Sequence, residues 1–148
     1  MADLCKSFRE SFCESLVVPA QLESLDQIAQ YVRQVGKQAN LDIKKINRLR
    51  LAVDEIVTNI ILYGYSDANT EKVLELTSHS DPKGLALSIE DMGIPFDPTQ
   101  HQIPDNLDQP LEEREIGGLG IYLARTNVDQ MFYERLGDRN RNTFVMYY

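Results

Sequence analysis

Tryptophan is absent, and only two cysteines occur, Cys5 and Cys13, both near the start of the 148-residue chain. Their seven-residue spacer matches no metal-binding pattern, and so local a bridge would stabilise little. Reduced thiols are the expected state, and with them a cytoplasmic protein. No apolar run approaches the ~20 residues of a membrane-spanning helix, and the opening MADLCKSFRE lacks the apolar core of a signal peptide. Positive charge is also scarce: 15 Lys and Arg stand against 23 Asp and Glu, a formal net charge of −8. That balance argues against nucleic acid, whose binders present a basic surface, and against an anionic membrane. Internal repeats and interdomain linkers are missing too. Residues 1–148 are expected to form a single domain, long enough to enclose a core.

What is present reads as alternating patterns. Residues 11–18, SFCESLVV, suggest a strand ended by Pro19, with Phe12, Leu16 and Val18 on one face and Glu14 the exception. From Gln21 to about Gln38, Leu22, Leu25, Ile28, Ala29, Val32 and Val35 recur at helical spacing, and Asn40 reads as a stop. Asp42 then caps a second helix from Ile43 to about Tyr63, with a core stripe of Ile46, Leu49, Val53, Ile56, Val57 and Ile60. The period changes to two over 72–78 and 84–90, joined by an SDPKG turn. Strands at 131–136 and 142–148, turning at Gly137-Asp138, close the chain. Between the two strand pairs, Ile94 to Ile116 has no period and holds four of the six prolines. Loops of that length are usually functional, and this one is read as a lid over about 94–116. It ends at GGLG, Gly117 to Gly120, ahead of a helix IYLARTNVDQM of about three turns. The order βααββ–lid–αββ predicts an α+β fold: a two-layer α/β sandwich whose mixed, mostly antiparallel sheet carries its helices on one face.

Three polar groups interrupt this apolar plan. Glu55 and Asn59 stand four residues apart in LAVDEIVTNIILYGY and therefore share a helix face. They form either a solvated edge, with Glu55 paired to Arg50 or Lys44, or a functional pair. In the second reading Asn59 offers an oxygen to a hard cation such as Mg²⁺, and Glu55 orients or deprotonates a nucleophile. Asp91-Met92-Gly93 ends a strand, and is either a simple turn or a carboxylate that accepts from an exocyclic amine, with glycine leaving room for a flat ligand. The GGLG segment is either a hinge or a phosphate site at a helix N-terminus. No Gly-Lys-Ser/Thr follows, so it is not a P-loop. His79 and His101 have no ligand-like companions and are read as structural.

In order, the three groups resemble the N, G1 and G2 boxes of the GHKL ATPases, whose left-handed Bergerat-type fold binds ATP. DEIVTNIILYGY, DMGIPFDP and GGLGIYLAR are most similar to the anti-sigma-factor serine/threonine kinases, and RNTFVMYY to their last strand. The resemblance covers nearly the whole chain. It implies ATP and Mg²⁺ as cofactors, Glu55 as general base toward a protein hydroxyl, and Asn59 as the metal ligand. It further gives Asp91 the adenine amine, Gly93 the base pocket, and Gly117, Gly118, Leu119 and Gly120 the phosphates. Thr143 matches a threonine-bearing position that helps hold adenine. The implied partner is a STAS-type anti-anti-sigma protein, with a sigma factor held in turn; a homodimer is compatible with the family. Tyr63-Gly64-Tyr65 departs from the family's His-Ala-Tyr. Arg114 is read as pairing with Glu112 or Glu115, and Arg125 as a surface or pairing residue. The competing function is a nucleotide-dependent binding switch with little or no phosphotransfer.

Overall fold

The computed structural model describes residues 15–65, 71–100 and 118–148. They form the expected two layers. Five strands make one sheet in the order β1-β2-β3-β5-β4, namely β1 (Leu16–Pro19), β2 (Val73–Asp81), β3 (Gly84–Asp91), β4 (Gln130–Leu136) and β5 (Arg139–Tyr147). Every pairing is antiparallel, so the expected mixed sheet is purely antiparallel among the described strands. Helices α1 (Leu25–Gln38), α2 (Ile43–Asn59) and α3 (Gly118–Asn127) complete the fold.

Helix ends follow local chemistry. The expected first turn of α1 is a 3₁₀ turn, Leu22–Ser24, which leaves Leu22 48% exposed, so the core stripe begins with the half-buried Leu25. At the other end Asn40 adopts φ 61°. The Asn40 N–H donates to the Lys37 carbonyl and the Leu41 N–H to the Gly36 carbonyl, and Leu41 is buried. This is a Schellman stop, which tolerates Asn in the left-handed conformation. The Asp42 carboxylate accepts from the Lys45 N–H at 2.9 Å and caps α2. Asp42→Ala is expected to cost about 1 kcal/mol of stability, measured as a lower urea midpoint at unchanged slope.

Several boundaries differ from expectation, β5 among them, which begins at Arg139 rather than at 142. The helix expected to begin after GGLG begins inside it, at Gly118, and stops at Asn127 rather than running to Met131. There the Asn127 amide donates to the Leu123 carbonyl at 2.7 Å and the Thr126 hydroxyl to the same oxygen at 3.2 Å, local bonds that compete with continuation. Gln130 and Met131 join β4. Pro19 belongs to β1 and pairs with Val73, as an edge strand permits. Residues 11–14 of the expected first strand, with Cys5 and Cys13, lie outside the described residues, as does the lid from residue 101 on.

Pairing register stacks side chains in rows across the sheet's inner face. One row joins Ser78, Leu87, Phe144 and Met131, and the next joins Leu76, Ile89, Asn142 and Tyr133. The last joins Leu74, Asp91, Asn140 and Arg135. Ile28, Val32, Leu49, Val53 and Ile56 of α1 and α2 fill the core against the apolar rows. The face turns polar toward Asp91, and that end carries the cavity.

Candidate nucleotide site

The site begins where α2 loosens. The helix expected to run to Tyr63 is α-helical only to Asn59 and continues as a π-helical turn, Ile60–Gly64. Such turns interrupt the regular ladder and are common at functional sites. Here the turn presents the Gly64 carbonyl to the Ile94 N–H at 3.0 Å, tying the end of α2 to the segment after β3. The next residue clamps the same junction: the Tyr65 hydroxyl donates to the Val73 carbonyl at 2.8 Å and accepts from the Met92 N–H at 2.9 Å. Burial pushes the Tyr65 phenol above its ordinary pKa, which keeps the donating proton in place.

Asp91, the last residue of β3, is 3% exposed. Its Oδ1 accepts from the Gly93 N–H and from the Asn140 side-chain amide, each at 2.9 Å. Burial raises the carboxyl above its ordinary pKa, while these two bonds and the Arg135 charge pull it down. Gly93 is required by close approach, because a Cβ there would stand 2.5 Å from the Gly64 carbonyl oxygen. Arg135 donates to the Gly93 carbonyl at 2.9 Å, fixing the same loop from β4.

A cavity of about 250 Å³ opens beside this corner. Ile56, Ile60, Ile94, Phe96 and Ile121 give it apolar walls, and Asn59, Asp91, Asn140 and Asn142 supply polar groups. Asn142 is 3% exposed, and its buried Oδ1 has no hydrogen-bond partner among the described residues. An unmet buried acceptor costs about 1–3 kcal/mol, a cost that a donor on a bound molecule removes. A flat heteroaromatic base with amino hydrogens at its edge suits both the walls and the acceptors. The adenine of ATP is such a base, and the residues present fit it. They also fit Mg²⁺ held with phosphates. The Asn59 side chain makes no hydrogen bond to the described residues, and Mg²⁺ needs few protein ligands when phosphates and water complete its shell. No cluster of three His, Cys, Asp or Glu that could hold a metal by itself exists among the described residues.

Glu55 stands beside the cavity rather than in its lining. A Cβ on Gly120 would lie 2.5 Å from Glu55 Oε2, so the carboxylate packs directly against the first turn of α3 and would have to shift to admit a side chain there. The dipole of a helix N-terminus favours negative charge there. The surface pairing of Glu55 with Arg50 is not found; Arg50 pairs with Asp54 at 3.6 Å.

Of the expected site residues, Asn59 and Asp91 line the cavity, Gly93 backs it, and Gly118, Leu119 and Gly120 form the start of α3 beside Glu55. Gly117 lies outside the described residues. Thr143 is not brought to the cavity: it lies on the sheet's outer face, hydrogen-bonded to Ser88 at 2.9 Å. Its neighbour Asn142 faces inward instead. Asn140, Asn142 and Tyr133 were not among the expected residues, and strand alternation carries the signal for the first two. Residues two apart share a face, so Phe144 and Met146 in the core place Asn142 and Asn140 beside them.

Comparison with known proteins agrees with this architecture. The serine-protein kinases RsbW of Staphylococcus aureus strains bovine RF122 / ET3-1 and MRSA252 are each 27% identical over 126 residues, spanning 83% of this chain and 79% of theirs. The RsbU and RsbW domains of Rv1364c from Mycobacterium tuberculosis share the fold with a TM-score of 0.58 at 15% identity, over 90% of this chain and 32% of that one. The profile of the histidine kinase-like ATPase domain matches residues 18–148, and the chain belongs to that family.

Proposed function

We propose that the chain binds Mg²⁺-ATP in this cavity and phosphorylates a serine or threonine of a small STAS-type anti-anti-sigma protein in the cytoplasm. In this reading it holds a sigma factor when that partner is phosphorylated. The observation that carries the reading is Glu55, whose carboxylate packs on Gly120 along the helix edge it shares with Asn59. A switch that only binds nucleotide has no use for a base there.

Bound in the cavity, ATP supplies the phosphoryl group and Mg²⁺ neutralises phosphate charge. Asn59 holds the metal, Asp91 accepts from the base amine, and Gly93 leaves the base its space. Gly118, Leu119 and Gly120 bring the N–H groups at the start of α3 to the phosphates, and the family resemblance assigns Gly117 to the same phosphates. Asn142, rather than Thr143, is the residue of β5 that meets the base. Glu55 takes the proton of the incoming hydroxyl. Phosphoryl transfer asks chiefly for positioning and charge stabilisation, and the chain's own task is largely that. The 27%-identical relatives, named serine-protein kinases, support the same assignment.

The test is incubation with Mg²⁺-ATP and a STAS-domain protein of the same organism, followed by phosphoamino-acid detection. Phosphoserine or phosphothreonine on the partner is the expected product. ATP binding without any transfer would leave the nucleotide-dependent switch as the function.

A further inference from the structure

The cavity is lined by a residue whose side-chain amide is held at both ends. Asn140 is 3% exposed and sits beside Asp91 across the β3–β5 pairing. The Tyr133 hydroxyl donates to Asn140 Oδ1. This fixes which end of the amide faces which neighbour, because the amide oxygen accepts and its nitrogen only donates. The nitrogen then donates to Asp91 Oδ1 and to the Ile94 carbonyl, each at 2.9 Å. With the Gly93 N–H, Asp91 Oδ1 holds two donors, whereas Asp91 Oδ2 takes no hydrogen bond from the described residues. One carboxylate oxygen is anchored and the other is left as a fixed acceptor in the cavity wall.

The geometry points to Asn140, held by Tyr133, as the positioning residue that makes Asp91 selective for a base bearing an amino group. The inference rests on the nucleotide reading above and adds to it a determinant one strand away. With Oδ1 occupied, the plane of the carboxylate is fixed and Oδ2 is the acceptor held toward the base edge. A base with a carbonyl in place of the amine meets Oδ2 lone pair to lone pair. A base with neither group leaves Oδ2 buried without a donor, which is the expensive case. Without Asn140, Oδ1 and the Ile94 carbonyl each lose a donor, and the carboxylate is held by the Gly93 N–H alone. Tyr133 acts through Asn140: once its hydroxyl is gone, Asn140 Oδ1 loses its donor and the amide is held from its nitrogen end alone.

The experiment compares affinity for ATP, GTP and purine riboside 5′-triphosphate, which lacks the amine, in the wild type, Asn140→Ala and Tyr133→Phe. Melting temperature serves as the folding control. The wild type is expected to prefer ATP over both analogues. Asn140→Ala should lower the ATP to purine riboside triphosphate ratio by about tenfold or more, and Tyr133→Phe should lower it in the same direction by less. Tyr133→Phe keeps the ring and its packing, so it reports even if Asn140→Ala does not fold. Weaker binding of all three nucleotides at an unchanged ratio would make both residues merely structural and overturn the inference. A wild type that binds no adenine nucleotide would overturn the nucleotide reading itself, a failure plainly distinct from the first.

Discussion

Glu55→Gln is expected to lower phosphoryl transfer by on the order of 10²–10⁴-fold while leaving ATP affinity within about twofold. Glutamine has nearly the shape of glutamate, so it fits the space over Gly120 that a Cβ would occupy. It cannot accept a proton. The base is needed only as the hydroxyl attacks, so its loss belongs in the transfer step and not in ATP binding. Asn59→Ala should behave in the opposite way, weakening binding that depends on Mg²⁺ while leaving metal-free nucleotide binding nearly unchanged. Single-turnover transfer and calorimetric titration, each with and without Mg²⁺, separate the two. Equal losses of nucleotide affinity in both variants would refute this division of labour along one helix edge.

Asp91→Asn is expected to weaken ATP binding by roughly 10- to 100-fold, the scale of one hydrogen bond to a charged group at about 1.5–3 kcal/mol. It should also narrow the preference for ATP over GTP, because an amide can turn a donor toward a carbonyl edge. A pH series adds a signed check. Burial holds the Asp91 carboxyl above its ordinary value of 3.8, against the bonds from Asn140 and Gly93 and the charge of Arg135. The folded chain therefore takes up this proton before the unfolded chain does. In the free protein, Asp91 adds stability as pH falls through the raised folded value toward 3.8 and withdraws it as pH rises through that window. Nucleotide affinity has the opposite sign, since the base amine needs the carboxylate, and it should fall as pH drops through the same window. Asp91→Asn should lose its own contribution to both dependences while keeping that of the phosphates. A variant with the wild-type pH profile and base preference would move base recognition to another residue.

Much of this site is legible in the amino-acid sequence. Glu55 and Asn59 are four residues apart on a helix whose stripe is apolar, and helical periodicity alone brings them to one edge. Asp91-Met92-Gly93 follows a strand of clean alternation, which fixes Asp91 on the same face as Leu87 and Ile89. Two placements differ from expectation for physical reasons. Family likeness favours Thr143, yet the period of two that places Phe144 and Met146 in the core assigns that face to Asn142. At the end of α2, helical spacing predicts a regular helix to Tyr63. The π turn depends instead on what it must meet, the Ile94 N–H opposite the Gly64 carbonyl, which belongs to a distant part of the chain.

The sequence by itself determined the elements, their order, the two-layer plan and the short-range pairs, because periodicity, caps and turn residues act over a few positions. Asp42 capping α2, Asn40 stopping α1 and the i, i+4 pair of Glu55 and Asn59 are all of this kind. Only the tertiary structure decided which distant groups share a hydrogen bond. Strand register, a property of the whole sheet, sets Asn140 beside Asp91, and the packing of α2 against α3 brings Glu55 to Gly120. Those contacts join residues separated by many tens of positions, and no local pattern encodes the register or the helix crossing that makes them.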